Sequence, residues 1–183
     1  DEPLAASLRE RWFQGAESEW LQVIQRGLSK HFTTWDSSHY LVLAKSGYSK
    51  ELRSCAFYPL WPTMVRWFAA MTGMSLVLAG VVLSNLFSVG AWSLFWSVCA
   101  RRFGDVTASW ALLNLIVFPG SLFYQFNYSE SLFFLLTMVL WYGLDHERRH
   151  IAWTAAILLP MTRAIGLFSV LPICYCEWRR WRD

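Results

Sequence analysis

The stretch MSLVLAGVVLSNLFSVGAWSLFWSVCA, from Met74 to Ala100, carries no charged residue. As a helix at about 1.5 Å per residue it reaches roughly 40 Å, more than the roughly 30 Å hydrocarbon core of a bilayer. It therefore reads as a membrane helix crossing with some tilt. The composition agrees: 55% of the chain is hydrophobic and only 16% charged, whereas soluble domains carry about 25% charged residues. A net charge of +3, with no basic run interleaved with aromatics, argues against a nucleic-acid groove. The four cysteines, Cys55, Cys99, Cys174 and Cys176, form no metal-ligand pattern and read as packing residues.

Beyond Ala100, Arg101-Arg102-Phe103-Gly104-Asp105 ends the apolar run, and Val106 to Phe123 is the next candidate span, broken near its end by Pro119-Gly120. A polar island, Gln125 to Glu130, precedes a third segment, Ser131 to Leu144. After Asp145 to His150 comes the last apolar block, Ile151 to Trp178, interrupted by Pro160 and Arg163 and followed by Arg179-Arg180-Trp181-Arg182.

On the other side of Met74 the chain is more polar. Trp20, Val23, Ile24 and Leu28 recur at helical spacing, which predicts an amphipathic helix. A short helix is expected to start at Asp36 and stop at Gly47. Pro59 and Pro62 lie too close for a helix to run through both, so Pro62 is expected to open the next helix at its first position. Met64, Trp67, Phe68 and Met71 would form its apolar stripe, and Gly73 its end. That helix is too short to span and carries Arg66, so it reads as interfacial.

The segments 101–105, 145–150 and 179–182 hold seven of the sixteen basic residues, and the positive-inside rule places all three in the cytosol. Residues 1–73 and the island at 124–130 are then external. Between cytosolic His150 and cytosolic Arg179 the chain must go out and return, so 151–162 and 164–178 are expected to form a hairpin turning near Arg163. A single long tilted helix is the alternative. The expectation is an all-α polytopic membrane bundle over 74–178, with segments 74–100, 106–123, 131–144 and the hairpin, behind an external loop over 1–73. The start at Asp1 and the end after an apolar block suggest a fragment of a longer membrane protein.

This topology gathers Asp36, His39, Tyr58, Tyr128, Glu130 and Arg163 on one side of the membrane. Each has a plainer reading. Asp36, in Trp35-Asp36-Ser37-Ser38-His39-Tyr40, is a good helix cap, although a carboxylate at the lip of an apolar bundle can also act as a base. His39 also reads as an ordinary polar residue of a first turn. Glu130 suits the start of the helix that follows it. Arg163, an ionisable residue in an apolar segment, calls for a cavity or a partner, and a phosphate matches its fork of donors. Asn127-Tyr128-Ser129 also fits a glycosylation sequon.

Four motifs in order resemble one family. They are Trp35-Asp36 through Gly47-Tyr48 with Ala56-Phe57-Tyr58-Pro59-Leu60-Trp61-Pro62; Pro119; Tyr128-Ser129-Glu130-Ser131-Leu132-Phe133; and Thr162-Arg163 with Gly166-Leu167. Over about residues 35–172 the chain resembles the GPI mannosyltransferase (second-mannose) family and its bacterial relatives; residues 1–34 carry none of these motifs. The resemblance implies a GT-C-type glycosyltransferase that moves a sugar, mannose in such enzymes, from a polyprenyl-phosphate donor to a lipid or glycan acceptor. It implies a site on the external or lumenal face of a bacterial inner membrane or the endoplasmic reticulum. The catalytic Asp of the family's first external loop maps to Asp36, with Arg163 as donor-phosphate ligand and His39, Tyr58, Tyr128 and Glu130 shaping the pocket. No cofactor is required for this chemistry, although a divalent metal stays compatible with it. Two alternatives stay open: an inactive membrane scaffold or lipid-handling subunit of the same fold, and a transporter with its site at the midplane.

Overall fold

A computed structural model describes residues 36–48 and 56–182, and these are all-α, with no strand among them. The amphipathic helix expected around Trp20–Leu28, and Cys55, lie outside the described residues. Among the described residues seven α-helices follow one another: α1 (Ser37–Ser46), α2 (Leu60–Thr72), α3 (Leu76–Phe103), α4 (Asp105–Val117), α5 (Glu130–Asp145), α6 (Arg149–Leu158) and α7 (Val170–Arg182). Short 3-10 turns cover Pro119–Tyr124, Leu159–Met161 and Ala164–Ser169.

The apolar stretch that opened the reading is α3. Ser75 caps it, its hydroxyl accepting from the Leu78 N–H at 3.4 Å, and Gly104 ends it at φ 85°. Among the described residues it is the one helix long and apolar enough to cross a membrane. The segment expected over 106–123 divides into α4 and a 3-10 turn. Pro119 has no N–H to continue a helix and forces Phe118 into extended backbone (φ −58°, ψ 131°).

The buried face of α3 is made of small residues at helical spacing: Gly80, Ser84, Ser88 and Ala91, with Val77 ahead of them. Such a face lets a neighbour approach closely, and the most extensive helix pairing is with α5. That helix contributes Leu132, Leu136 and Leu140 to the core and carries Gly143 in its last turn, where a Cβ would stand 2.7 Å from the Ala152 nitrogen of α6. The α3 hydroxyls also serve the irregular segment before α5. Ser84 donates to the Phe126 carbonyl at 2.5 Å and Ser88 to the Tyr124 carbonyl at 2.6 Å. Backbone outside a helix is thus satisfied from within the protein, as an apolar surrounding demands.

Two expectations about α2 are corrected. The helix begins at Leu60 with Pro59 at its N-cap, and runs through Pro62. Pro62 sits in the first turn, where N–H groups have no intrahelical partner, so proline removes no bond there. Its buried face is Trp61, Pro62, Val65 and Ala69, with Met64 and Phe68 packed beside it. Trp67 (66% exposed) and Met71 (81%) point away, so the stripe is rotated from the expected one. Gly73 ends the helix as expected, in left-handed backbone.

The block 151–178 is not one long helix. Between α6 and α7 the 3-10 turns and the extended backbone of Arg163 (φ −158°, ψ 149°) interrupt it. The start of α6 and the end of α7 return to one place, since Arg149 pairs with Glu177 at 3.4 Å and Arg180 with Glu147 at 3.9 Å. At the same end Arg102 pairs with Asp145 at 2.8 Å and Arg101 with the same carboxylate at 3.5 Å. The three basic segments therefore share one end of the bundle. Cys99 and Cys176 are half-buried, but Cys174 is exposed, so the packing reading fails for that residue.

Candidate functional site

At the opposite end, α1 docks by its face of Ser37, Tyr40, Leu41 and Ala44, all buried. Asp36 stands at its N-cap. The Asp36 backbone carbonyl accepts from His39 (3.0 Å) and Tyr40 (3.3 Å), but its side chain makes no capping hydrogen bond. The exposed carboxylate is thus not engaged by its own helix. One turn on, the buried Tyr40 hydroxyl meets the Ser129 hydroxyl at 2.9 Å, which ties α1 to the start of α5. Burial pushes the Tyr40 phenol above its ordinary range, so it stays neutral.

Glu130 is the first residue of α5, where a carboxylate complements the helix dipole. Its Oε1 accepts from Arg163 Nη2 at 2.8 Å. Its Oε2 is buried and has no hydrogen-bond partner among the described residues. The Arg163 side chain is 40% exposed against 21% for Glu130, so the cation faces outward from the pair. Asp36 lies within electrostatic reach of both Glu130 and Tyr40, and Arg163 of Tyr40. The fold thus gathers Asp36, Tyr40, Glu130 and Arg163 from three separate parts of the chain.

The remaining expected residues sit differently. His39 is at the margin, stacked on Phe57 at 5.1 Å, and Phe57 in turn meets the Tyr40 ring edge-on at 4.9 Å. Tyr128 is buried, its ring packed against Phe123 at 5.6 Å, so it belongs to the core beneath the cluster. Tyr58 is exposed and lines a shallow hollow with Tyr48, Phe57 and Pro59. Among the described residues no three His, Cys, Asp or Glu side chains come together as a metal site.

Sequence reasoning passed over Tyr40 and Ser129. The signal for Tyr40 was its spacing, one helical turn from Asp36 and so on the same face. It also misjudged Asn127. This residue is fully buried, its Oδ1 accepts from Trp61 Nε1 at 3.1 Å, and a Cβ on Gly80 would overlap its amide. An amide held this way is not open to a glycan in the folded protein, so the sequon reading is withdrawn.

A family model described as Mannosyltransferase (PIG-V) matches residues 3–181. The chain belongs to that family. The match takes in most of residues 1–34, which carry none of the motifs read above. Among curated relatives, the human "GPI alpha-1,6-mannosyltransferase 2" is 29% identical over 173 residues, 85% of this chain and 33% of the relative. The "GPI mannosyltransferase 2" of Drosophila melanogaster is 28% identical over 130 residues, covering 63% and 28%. That of Drosophila pseudoobscura pseudoobscura is 31% identical over 109 residues, covering 54% and 24%. The chain thus spans a third or less of the relatives it matches. No solved structure matches it.

Proposed function

We propose that this PIG-V-family chain forms a site-bearing part of a polytopic GT-C-type membrane glycosyltransferase. It transfers mannose from a polyprenyl-phosphate donor to a hydroxyl of a lipid or glycan acceptor. Transfer takes place on the external or lumenal face of a bacterial inner membrane or the endoplasmic reticulum. The observation that carries the reading is the Asp36 carboxylate, exposed and making no capping bond to its helix, within electrostatic reach of Glu130, the residue that holds the outward-facing Arg163. Family membership supplies the reaction class.

The chemistry needs two things. Asp36 takes the proton of the acceptor hydroxyl as its oxygen attacks the anomeric carbon. The bond from that carbon to the phosphate oxygen breaks as the new one forms, which inverts the configuration. The departing polyprenyl phosphate keeps the electron pair, and the guanidinium of Arg163 stabilises its charge. A phosphate monoester is already a workable leaving group, so neither a general acid nor a metal is required. Glu130 holds one face of Arg163 and leaves the rest of its donors to the phosphate. His39 and Tyr58 shape the surrounding pocket, and Tyr128 supports it from the core beneath.

One observation favours the second reading, a catalytically inactive scaffold or lipid-handling subunit. Glu130 already gives Arg163 a close partner at 2.8 Å, which a purely structural role would explain. The experiment that separates the two is transfer of label from polyprenyl-phosphate-mannose in membranes carrying the protein at its full native length. Asp36→Asn, matched for expression, is expected to lose transfer while folding normally, since the side chain makes no capping hydrogen bond to its helix. Equal transfer by both proteins would remove Asp36 as the base.

A further inference from the structure

At the end of the bundle away from Asp36, α5, α6 and α7 enclose a cleft of about 390 Å³. Gly143, Ala152 and Ile173, all buried, form an apolar floor. Arg149 and Arg180 stand at the mouth with Glu147 and Glu177 between them, and Arg179 and Trp153 complete the rim.

The ion pairs here are loose. Arg149 stands 3.4 Å from Glu177, and Arg180 stands 3.6 Å from Glu177 and 3.9 Å from Glu147. Elsewhere in the molecule Arg102–Asp145 and Arg163–Glu130 both close to 2.8 Å, as charge-assisted bonds do. Arg149 and Arg180 are therefore held near carboxylates without being saturated by them. The backbone adds a second observation. Glu147 is the one non-glycine described residue with positive φ, at 57°, a strain that clusters at functional sites. The surroundings supply a third: Trp153, Trp178 and Trp181 are exposed around this end, and amphipathic rings of this kind sit at headgroup level.

We propose that this cleft binds the phosphate headgroup of an anionic glycerophospholipid. Arg149 and Arg180 grip the phosphate, and the glycerol end of the lipid lies on the apolar floor. Free phosphate shares the charge but has nothing to place on that floor. The proposal rests on the membrane reading of the bundle and not on sugar transfer, so loss of the Asp36 mechanism would leave it intact.

The test uses the protein purified in a neutral detergent, with Trp fluorescence following titration by short-chain phosphatidylglycerol, phosphatidylcholine of equal chain length, or inorganic phosphate. Phosphatidylglycerol is expected to bind at least about tenfold more tightly than phosphatidylcholine. Arg149 and Arg180 each contribute about a fivefold factor at such a surface, so Arg149→Gln with Arg180→Gln should weaken binding roughly twenty-five-fold. Glu147→Gln should strengthen it severalfold, an opposite sign that a misfolded variant cannot give. Equal binding of the two lipids, or no gain in Glu147→Gln, would overturn the site. Displacement of the lipid by an equal concentration of phosphate would overturn its lipid nature.

Discussion

Glu147 closes α5 in the manner usually left to glycine. With its backbone left-handed, the Arg148 N–H reaches the Gly143 carbonyl at 2.8 Å and the Glu147 N–H reaches Leu144 at 3.3 Å, which together form a Schellman cap. An L-residue pays about 1 kcal/mol for that conformation. Glu147→Gly is therefore expected to raise stability by about that amount in thermal unfolding. The lost contact to Arg180 is long, and the Glu147 side chain is 82% exposed, so it offsets little. The Glu130–Arg163 pair predicts an asymmetry of the opposite kind. Removing the cation leaves a mostly buried carboxylate without a donor, whereas removing the carboxylate leaves a guanidinium already 40% exposed. Arg163→Gln should thus cost about 1–3 kcal/mol and Glu130→Gln distinctly less. Donor affinity, measured separately, should fall in Arg163→Gln; an unchanged affinity would leave that arginine a structural role alone.

At the scale of elements, α3 works as a spine because its inner face is small and weakly polar. Gly80→Ala would drive a methyl into the Asn127 amide and disturb its bond to Trp61. Overpacking of this kind costs about 1–3 kcal/mol. Ser88→Ala would strand the Tyr124 carbonyl of the segment before α5, at roughly 1–3 kcal/mol, whereas Ser84→Ala should cost less, since the Phe126 carbonyl keeps the Tyr128 N–H at 2.8 Å. Both losses should appear as lower unfolding temperatures in detergent. The lengths of α1 and α3 and the stops at Gly47 and Gly73 were legible in the sequence, because a charge-free run and a left-handed residue are local signals. The role of Pro62 was misread because a first helical turn tolerates what an interior does not. The Trp61–Asn127 bond was invisible because it joins residues 66 apart in sequence, and no local pattern carries such a pairing.

For the whole molecule the division between two ends matters most. Arg101, Arg102, Arg149 and Arg180 meet their carboxylates at one end, while Asp36, Tyr40, Glu130 and Arg163 gather elsewhere, where α1 docks on α5. The arginine pattern alone suggested that the basic segments lie together, because charge that cannot cross an apolar core sorts by side. It also brought Asp36, Glu130 and Arg163 to one face, but it gave no distances, and so it could not tell Tyr128 in the core from Tyr40 in the cluster. Which side of a membrane each end faces follows from the same arginines, and that claim has its own test. In a cysteine-free background, Ser46→Cys and Arg148→Cys both place a thiol at an exposed position, one at the end of α1, where an external side is expected, and one beside the basic end. A membrane-impermeant thiol reagent applied from the external side is expected to label Cys at 46 in intact membranes and Cys at 148 only after permeabilisation. Labelling of both from one side would mean that the bundle does not separate two aqueous faces. Asp36 would then have lost the external surface on which its proposed chemistry depends, whatever the transfer assay showed.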